Sequence, residues 1–168
     1  IKFPGKSALM LIDIGGGKLR LGGSALGQVY DQIGEDCPDI DDPAYLRNAF
    51  EGMQSLVSEG LALSYHDRSE GGLITTLLEM AFAGDSGLII GIEEGVDPIS
   101  WLFTEEAGMV FECHVDDMIK ANEVLRNHGV SAKCVGITNE ERSISIRQQY
   151  SRLLDCEMLH LRRMWEET

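Results

Sequence analysis

The stretch His66-Asp67-Arg68-Ser69-Glu70-Gly71-Gly72-Leu73 sets a carboxylate, a hydroxyl and a glycine pair between two apolar segments. Leu61 to Tyr65 before it reads as a strand, and Leu73 to Phe82 after it has helical spacing. A turn of this make-up can hold a phosphate and its metal. Glycines let the backbone bend sharply and approach a ligand closely. The free N–H groups of a new helix attract an anion. The Asp67 carboxylate offers oxygen to a hard cation such as magnesium, and Ser69 offers a hydroxyl donor. A plainer role fits the same residues: Asp67 or Ser69 caps the helix and the glycines make a tight turn. The residues alone leave both readings open.

A second strand, glycine loop and helix lies upstream. Ala8 to Ile14 is almost continuously apolar, the pattern of a strand buried on both faces. Gly15-Gly16-Gly17 follows, then Lys18 and Arg20, then Gly22-Gly23, and Ser24 can cap a helix from Ala25 to about Ile33. The order is not that of a Walker loop. Lys18 and Arg20 face either a phosphate or solvent. Glu105-Glu106 invites an acid–base reading, but no nucleophile stands at a telling spacing, so the pair reads as solvated or as a helix start. His114, His128 and His160 read as surface or cap residues, and His66 alone falls in a motif.

The elements that must position these groups follow from periodicity and punctuation. Asp42-Pro43 starts a helix running to about Glu59, with Leu46, Phe50, Met53, Leu56 and Val57 on its core stripe and Gly60 as its stop. Leu88 to Ile92 is a short strand and Ile99 to Phe103 a short helix. Met109 to Val115 is a strand, Asp116-Asp117 caps a helix to about Asn127, and strands follow over Val130 to Ile137 and Ser143 to Arg147. Ser151 to Glu167 reads as a final helix with Leu154, Met158, Leu161 and Trp165 on one face. The expected fold is α+β, a layered α/β sandwich with a mixed sheet and packed helices, forming one domain over residues 1–168.

Composition narrows the partners. The 168 residues are 43% hydrophobic and 25% charged, ordinary for a globular protein, but the formal net charge is -14. Such acidity argues against nucleic acid and against anionic membranes as partners, though not against a single nucleotide held by backbone N–H groups and a metal. Cys37, Cys113, Cys134 and Cys156 form no C-x-x-C pair and fit no zinc spacing. Two of them sit in apolar strand-like runs, which suggests buried free thiols and a reducing compartment, the cytoplasm. No signal peptide and no membrane-length apolar run is visible. The chain opens on Ile1-Lys2-Phe3 and closes in a charged amphipathic segment, so it is expected to be part of something longer.

HDRSEGGLITTLLEMAFAG, His66 to Gly84, resembles the large, single-chain form of phosphoribosylformylglycinamidine synthase. LMLIDIGGGKLRLGGSALGQVY, Leu9 to Tyr30, and PDIDDPAYL, Pro38 to Leu46, match further segments in the right order, and Leu161 to Thr168 resembles the start of another. Family members resemble a doubled aminoimidazole ribonucleotide synthetase, each half with two domains. HDRSEGG and RLGGSAL resemble the second half rather than the first, so the resemblance implies the C-terminal domain of that half, before a glutaminase domain.

The family reaction amidates formylglycinamide ribonucleotide, using ATP and ammonia released from glutamine. Its second half carries an auxiliary adenine nucleotide, ATP or ADP, with Mg2+. The resemblance assigns Asp67 as a magnesium ligand and Ser69 as a nucleotide contact, and assigns no catalytic residue to this chain. Where the family often has Asp, this chain has Glu70, which keeps the charge on a longer arm. His66 is left a supporting role, and residues 15–23 a loop facing a ligand or an interface. The expected partners are the neighbouring domains of the same polypeptide, and the isolated chain is expected to be inactive. Two alternatives stand beside this: a non-catalytic binding or interaction domain of the same superfamily, and a relative of selenophosphate or thiamine-phosphate kinases, against which His66 to Gly84 speaks.

Overall fold

The computed structural model describes residues 1–167. Seven strands, β1 (Ser7–Asp13), β2 (Ser64–Arg68), β3 (Gly87–Ile92), β4 (Gly108–His114), β5 (Lys133–Asn139), β6 (Ser143–Gln148) and β7 (Ser151–Glu157), form one sheet in the order β2-β4-β1-β5-β3-β6-β7. Neighbours are antiparallel except β3 and β6, which run parallel. The helices are α1 (Ala25–Val29), α2 (Pro43–Ser58), α3 (Gly72–Gly84), α4 (Pro98–Phe103), α5 (Met118–Asn127) and α6 (Met158–Glu166). The expected α+β sandwich with a mixed sheet is what the chain forms.

β1 lies third in the sheet and is buried along almost its whole length, because helices cover it on both sides. Its alternate residues feed two cores. Leu9 and Leu11 meet Leu73, Leu77 and Met80 of α3, Leu102 of α4 and Met158 of α6. Met10 and Ile12 meet Ala49, Met53 and Leu56 of α2 and Val124 and Leu125 of α5. Each fully buried Leu or Met on these faces contributes about 2 kcal/mol of hydrophobic stabilisation.

Several boundaries differ from the sequence expectation. β2 starts three residues later than the apolar run Leu61 to Tyr65, so His66, Asp67 and Arg68 lie inside the strand rather than after it. Pairing decides this: the register from Ser64↔Glu112 to Arg68↔Gly108 extends the edge strand along β4. α1 stops at Val29 instead of Ile33, and Asp31 follows in a left-handed conformation. On α2, Phe50 is 59% exposed and the buried stripe is Ala49, Gly52, Met53 and Leu56. Asp116 and Asp117 lie in a 3-10 turn, and the residue before α5 makes no side-chain capping bond. Ser151 to Glu157, read as helix, is strand β7, paired with β6 from Ser143↔Glu157 to Gln148↔Ser151, and only Met158–Glu166 is helical.

Candidate functional site

Strand alternation divides the central motif between the two sides of the sheet. His66 and Arg68 turn toward α3. Asp67 turns to the opposite side, in register with Met109 at the sheet edge. The Asp67 side chain is 80% exposed, and its Oδ1 lies 3.7 Å from His66 Nδ1. That Nδ1 is also 2.7 Å from the Asp67 carbonyl oxygen, while Nε2 is 3.1 Å from Glu79 Oε2 on α3. His66 thus links the strand to α3 through Glu79.

Ser69 and Glu70 are exposed on the turn between β2 and α3. The turn closes through Gly72 N–H donating to the Ser69 carbonyl at 3.0 Å. Gly71 and Gly72 have φ of +81° and +75°, and a Cβ on Gly72 would strike the backbone of Phe103 at 2.6 Å. The glycine pair is therefore required here. Neither Asp67 nor Ser69 caps α3: Gly71 is the N-cap, and its N–H donates to Glu105 Oε1 at 2.8 Å. No side chain caps α3 itself, and Glu105 instead holds the N–H of its N-cap residue.

The segment Thr104 to Ala107 clasps the two glycine-rich turns together. Thr104 Oγ1 donates to the Arg20 carbonyl at 2.9 Å. Glu105 Oε1 accepts from Gly71 and also from Ala25 N–H, the first residue of α1, at 2.8 Å. Glu106 is fully buried and pairs with Arg20. The Ala107 carbonyl accepts from Ile14 at 3.0 Å, Gly15 at 3.2 Å and Arg68 Nη2 at 3.0 Å. Arg68, with a side chain 2% exposed, also donates to the Glu106 carbonyl and meets Asp13 Oδ1 at 2.6 Å.

Glu105 and Glu106 are thus neither a solvated pair nor a helix start, because each carboxylate has a fixed set of donors inside the fold. Arg20 is paired inside the fold rather than solvated, whereas the Lys18 side chain stays half-exposed. Lys18 meets Asp41 at 3.0 Å, and Arg20 meets Glu106 and Asp41, whose hydrogen bonds and charges raise its affinity for its proton further. Thr104-Glu105-Glu106-Ala107-Gly108 carries no apolar alternation to mark the clasp in the sequence; only in the fold does burial alternate from Thr104 through Glu106 and Gly108 to Val110, sending Glu106 inward.

Asp13 ends β1 and holds the glycine loop: its Oδ2 accepts from Gly17 N–H at 2.7 Å. Beside it opens a pocket of about 340 Å3, lined by Gly16, Gly17, Tyr45, Arg68, Trp101 and Lys133 among others. The glycine loop therefore faces a pocket. Asp67 and Ser69 lie outside its lining, joined to it only through Arg68.

The exposed, oxygen-bearing Asp67 fits a hard cation as one ligand. Among the described residues no three His, Cys, Asp or Glu side chains gather to hold a metal ion.

A mixed seven-stranded sheet between two helix layers, with a strand–glycine turn–helix at its edge, matches the C-terminal domain fold of AIR synthase related proteins. Solved structures share it. Thermotoga maritima PurL complexed with FGAR aligns at a TM-score of 0.78 and 19% identity, over 95% of this chain and 28% of that one. The same protein complexed with ATP gives 0.74 and 17%, over 96% and 26%. Hydrogenase maturation protein HypE in complex with ATP gives 0.60 and 20%, over 93% and 52%.

Residues 8–149 match the family model of the AIR synthase related protein, C-terminal domain, and the chain belongs to that family. It is 41% identical over 170 residues to a probable phosphoribosylformylglycinamidine synthase, chloroplastic/mitochondrial, of Arabidopsis thaliana, matching 100% of this chain. The chain spans 12% of that relative's length.

Proposed function

We propose that this chain is the C-terminal domain of the second synthetase-like half of a large phosphoribosylformylglycinamidine synthase. That enzyme is an ATP-dependent amidoligase of purine biosynthesis that converts formylglycinamide ribonucleotide and glutamine to the amidine and glutamate. The likeness to the Arabidopsis relative over the whole chain carries the reading. In it, residues 1–168 are one domain, whose partners are the N-terminal synthetase-like domains and the glutaminase domain of the same polypeptide. The setting is the cytoplasm, with an organelle interior as the alternative raised by the relative's printed name.

Within the enzyme, this domain contributes one wall of an auxiliary adenine nucleotide site. Ser69 Oγ donates to a phosphate oxygen and Asp67 supplies a carboxylate to magnesium. The support is positional: both side chains are exposed, two residues apart, and neither is used to cap α3. Magnesium, when bound, neutralises phosphate charge. The protein's part is to hold Ser69 and Asp67 at a fixed spacing through the Gly72-to-Ser69 hydrogen bond and the β2–β4 pairing.

Asp67→Ala in the full-length enzyme tests this. Nucleotide released from the denatured, purified variant should fall well below the wild-type amount, and the melting temperature should drop. Unchanged nucleotide content with unchanged melting would overturn the assignment. The 168-residue chain alone should form no amidine; turnover by it would show that the chemistry resides here.

A further inference from the structure

The two faces of the sheet are covered unequally. On one face, Leu88, Ile90 and Ile92 of β3 and Ile144 and Ile146 of β6 pack with α3, α4 and α6. On the other, α2 and α5 meet β1 and β4, and among the described residues no buried side chain of β3, β5, β6 or β7 joins their core. Strand alternation puts Ile89 of β3, Ile137 of β5 and Ser145 and Arg147 of β6 on that second face, beside Ala8 and Met10 of β1. Ile89 and Ile137 are direct partners, 42% and 38% exposed, and Leu153 on the outermost strand β7 is 45% exposed. Gly91, in register with Arg147, adds open space, with nothing within 4 Å of where a Cβ would stand.

The charges on this face do not balance. Arg147 stands directly opposite Arg152 in the β6–β7 register, a like-charge pairing that disfavours the sheet. Asp155 answers Arg152. Arg147 donates its Nε to the Ser145 hydroxyl at 2.9 Å and meets no carboxylate among the described residues. One cation is thus left over beside exposed aliphatic side chains, on a protein of net charge -14.

Size and charge select the occupant. Four strands about 4.8 Å apart and six residues of about 3.3 Å each make a face of roughly 15 by 20 Å, room for one helix of about 10 Å diameter beside α2 and α5. A second copy of this chain fits poorly. Across a two-fold axis the patch would meet itself and set four arginines against two aspartates, between two molecules whose net charges repel.

We propose that the bare face of β5, β3, β6 and β7 docks an amphipathic helix from a neighbouring domain of the same polypeptide, its apolar side on Ile89, Ile137 and Leu153 and a carboxylate on Arg147. The helix lies outside these 168 residues, so this role rests on the longer polypeptide of the function proposed above, of whose Arabidopsis relative the chain spans 12%.

Hydroxyl-radical footprinting of the full-length enzyme, read by peptide mass, tests the face. Left open, Ile89, Ile137 and Leu153 should react roughly two- to threefold more slowly than in urea, the inverse of their 38% to 45% exposure. Docked, they should react at least about tenfold more slowly, because the centre of an interface excludes water. Arg147→Glu gives Arg152 an opposite charge, so the sheet keeps its pairing while a carboxylate-bearing helix is repelled. In that variant the three residues should gain reactivity to the open level, while Leu88 and Ile90, on the α3 side of β3, stay protected. Arg147→Lys treated with a carbodiimide should cross-link residue 147 to an Asp or Glu outside residues 1–168.

Open-level reactivity in the wild type would overturn the docking, and so would protection that Arg147→Glu leaves unchanged. If Leu88 and Ile90 react as well in that variant, the Arg147→Lys cross-link decides, and its absence overturns the docking. Cross-links from residue 147 to a second copy, with the light-scattering mass of a dimer, would put a dimer contact in place of the helix and overturn it too. The function fails separately. A full-length protein that forms no amidine, yet shows both the protection and the cross-link, keeps this surface and loses the synthase reading.

Discussion

Among single residues, Glu112 ties the N-terminal segment, β1 and β2 to β4 through one carboxylate. It is fully buried in β4 and accepts from Lys2 and Phe3 N–H and from the hydroxyls of Ser7 and Ser64, at distances from 2.7 to 3.0 Å. Burial works to raise its carboxyl, but these donors outweigh burial and hold it below the ordinary value of 4.5. The unfolded chain therefore takes up this proton more readily, and the contribution of Glu112 is whole above about 4.5 and fades as pH falls below it. Glu112→Gln should cost about 2 kcal/mol at neutral pH by urea unfolding, with the gap to wild type narrowing toward pH 3. A constant gap would mean that the charge is not what stabilises. Thiols divide by burial in the same way. Cys113 is buried and its thiol is pushed up to about 12, foremost by desolvation, whereas Cys37 is exposed. Alkylation of the native protein should mark Cys37 at once and Cys113 only after denaturant, read by peptide mass.

Among elements, the β2–turn–α3 unit is held from outside by the Thr104–Ala107 clasp. Gly72→Ala should destabilise the protein by about 3 kcal/mol, since its φ of +75° and the Phe103 backbone 2.6 Å from a Cβ leave no room for a methyl group. Thermal melting would show this, and a loss under 1 kcal/mol would mean that the turn adapts. Most elements were legible in the sequence. The two-sided apolar run of β1, the Asp42-Pro43 start of α2 and the order β4, α5, β5, β6 all followed from periodicity and caps. β7 was not legible: Leu154, Met158 and Leu161 have helical spacing, yet the free edge of β6 draws Ser151–Glu157 into the sheet. The α2 stripe was misjudged by a fraction of a turn, because Phe50 lies beyond the edge of the surface that α5 and the sheet cover.

At the scale of the molecule, a net charge of -14 on 168 residues opposes the compact state through self-repulsion. Raising sodium chloride from about 10 mM to about 150 mM, which shortens the Debye length from roughly 30 to 8 Å, should raise the melting temperature by a few degrees. A fall would mean that screened ion pairs such as Lys133–Glu93 outweigh the repulsion. The sequence by itself determined the layered α+β class, the two glycine-rich turns and the identity of Asp67 and Ser69 as candidate ligands. These are local properties, set by periodicity, by the glycines' tolerance of positive φ and by side-chain chemistry. Only the tertiary structure decided that neither Asp67 nor Ser69 caps α3, that Glu105 holds its N-cap residue Gly71, and that Arg20 pairs with Glu106 and Arg68 with Asp13. Those contacts join residues 34 to 86 positions apart, a pairing fixed by sheet order and burial that no sequence spacing records.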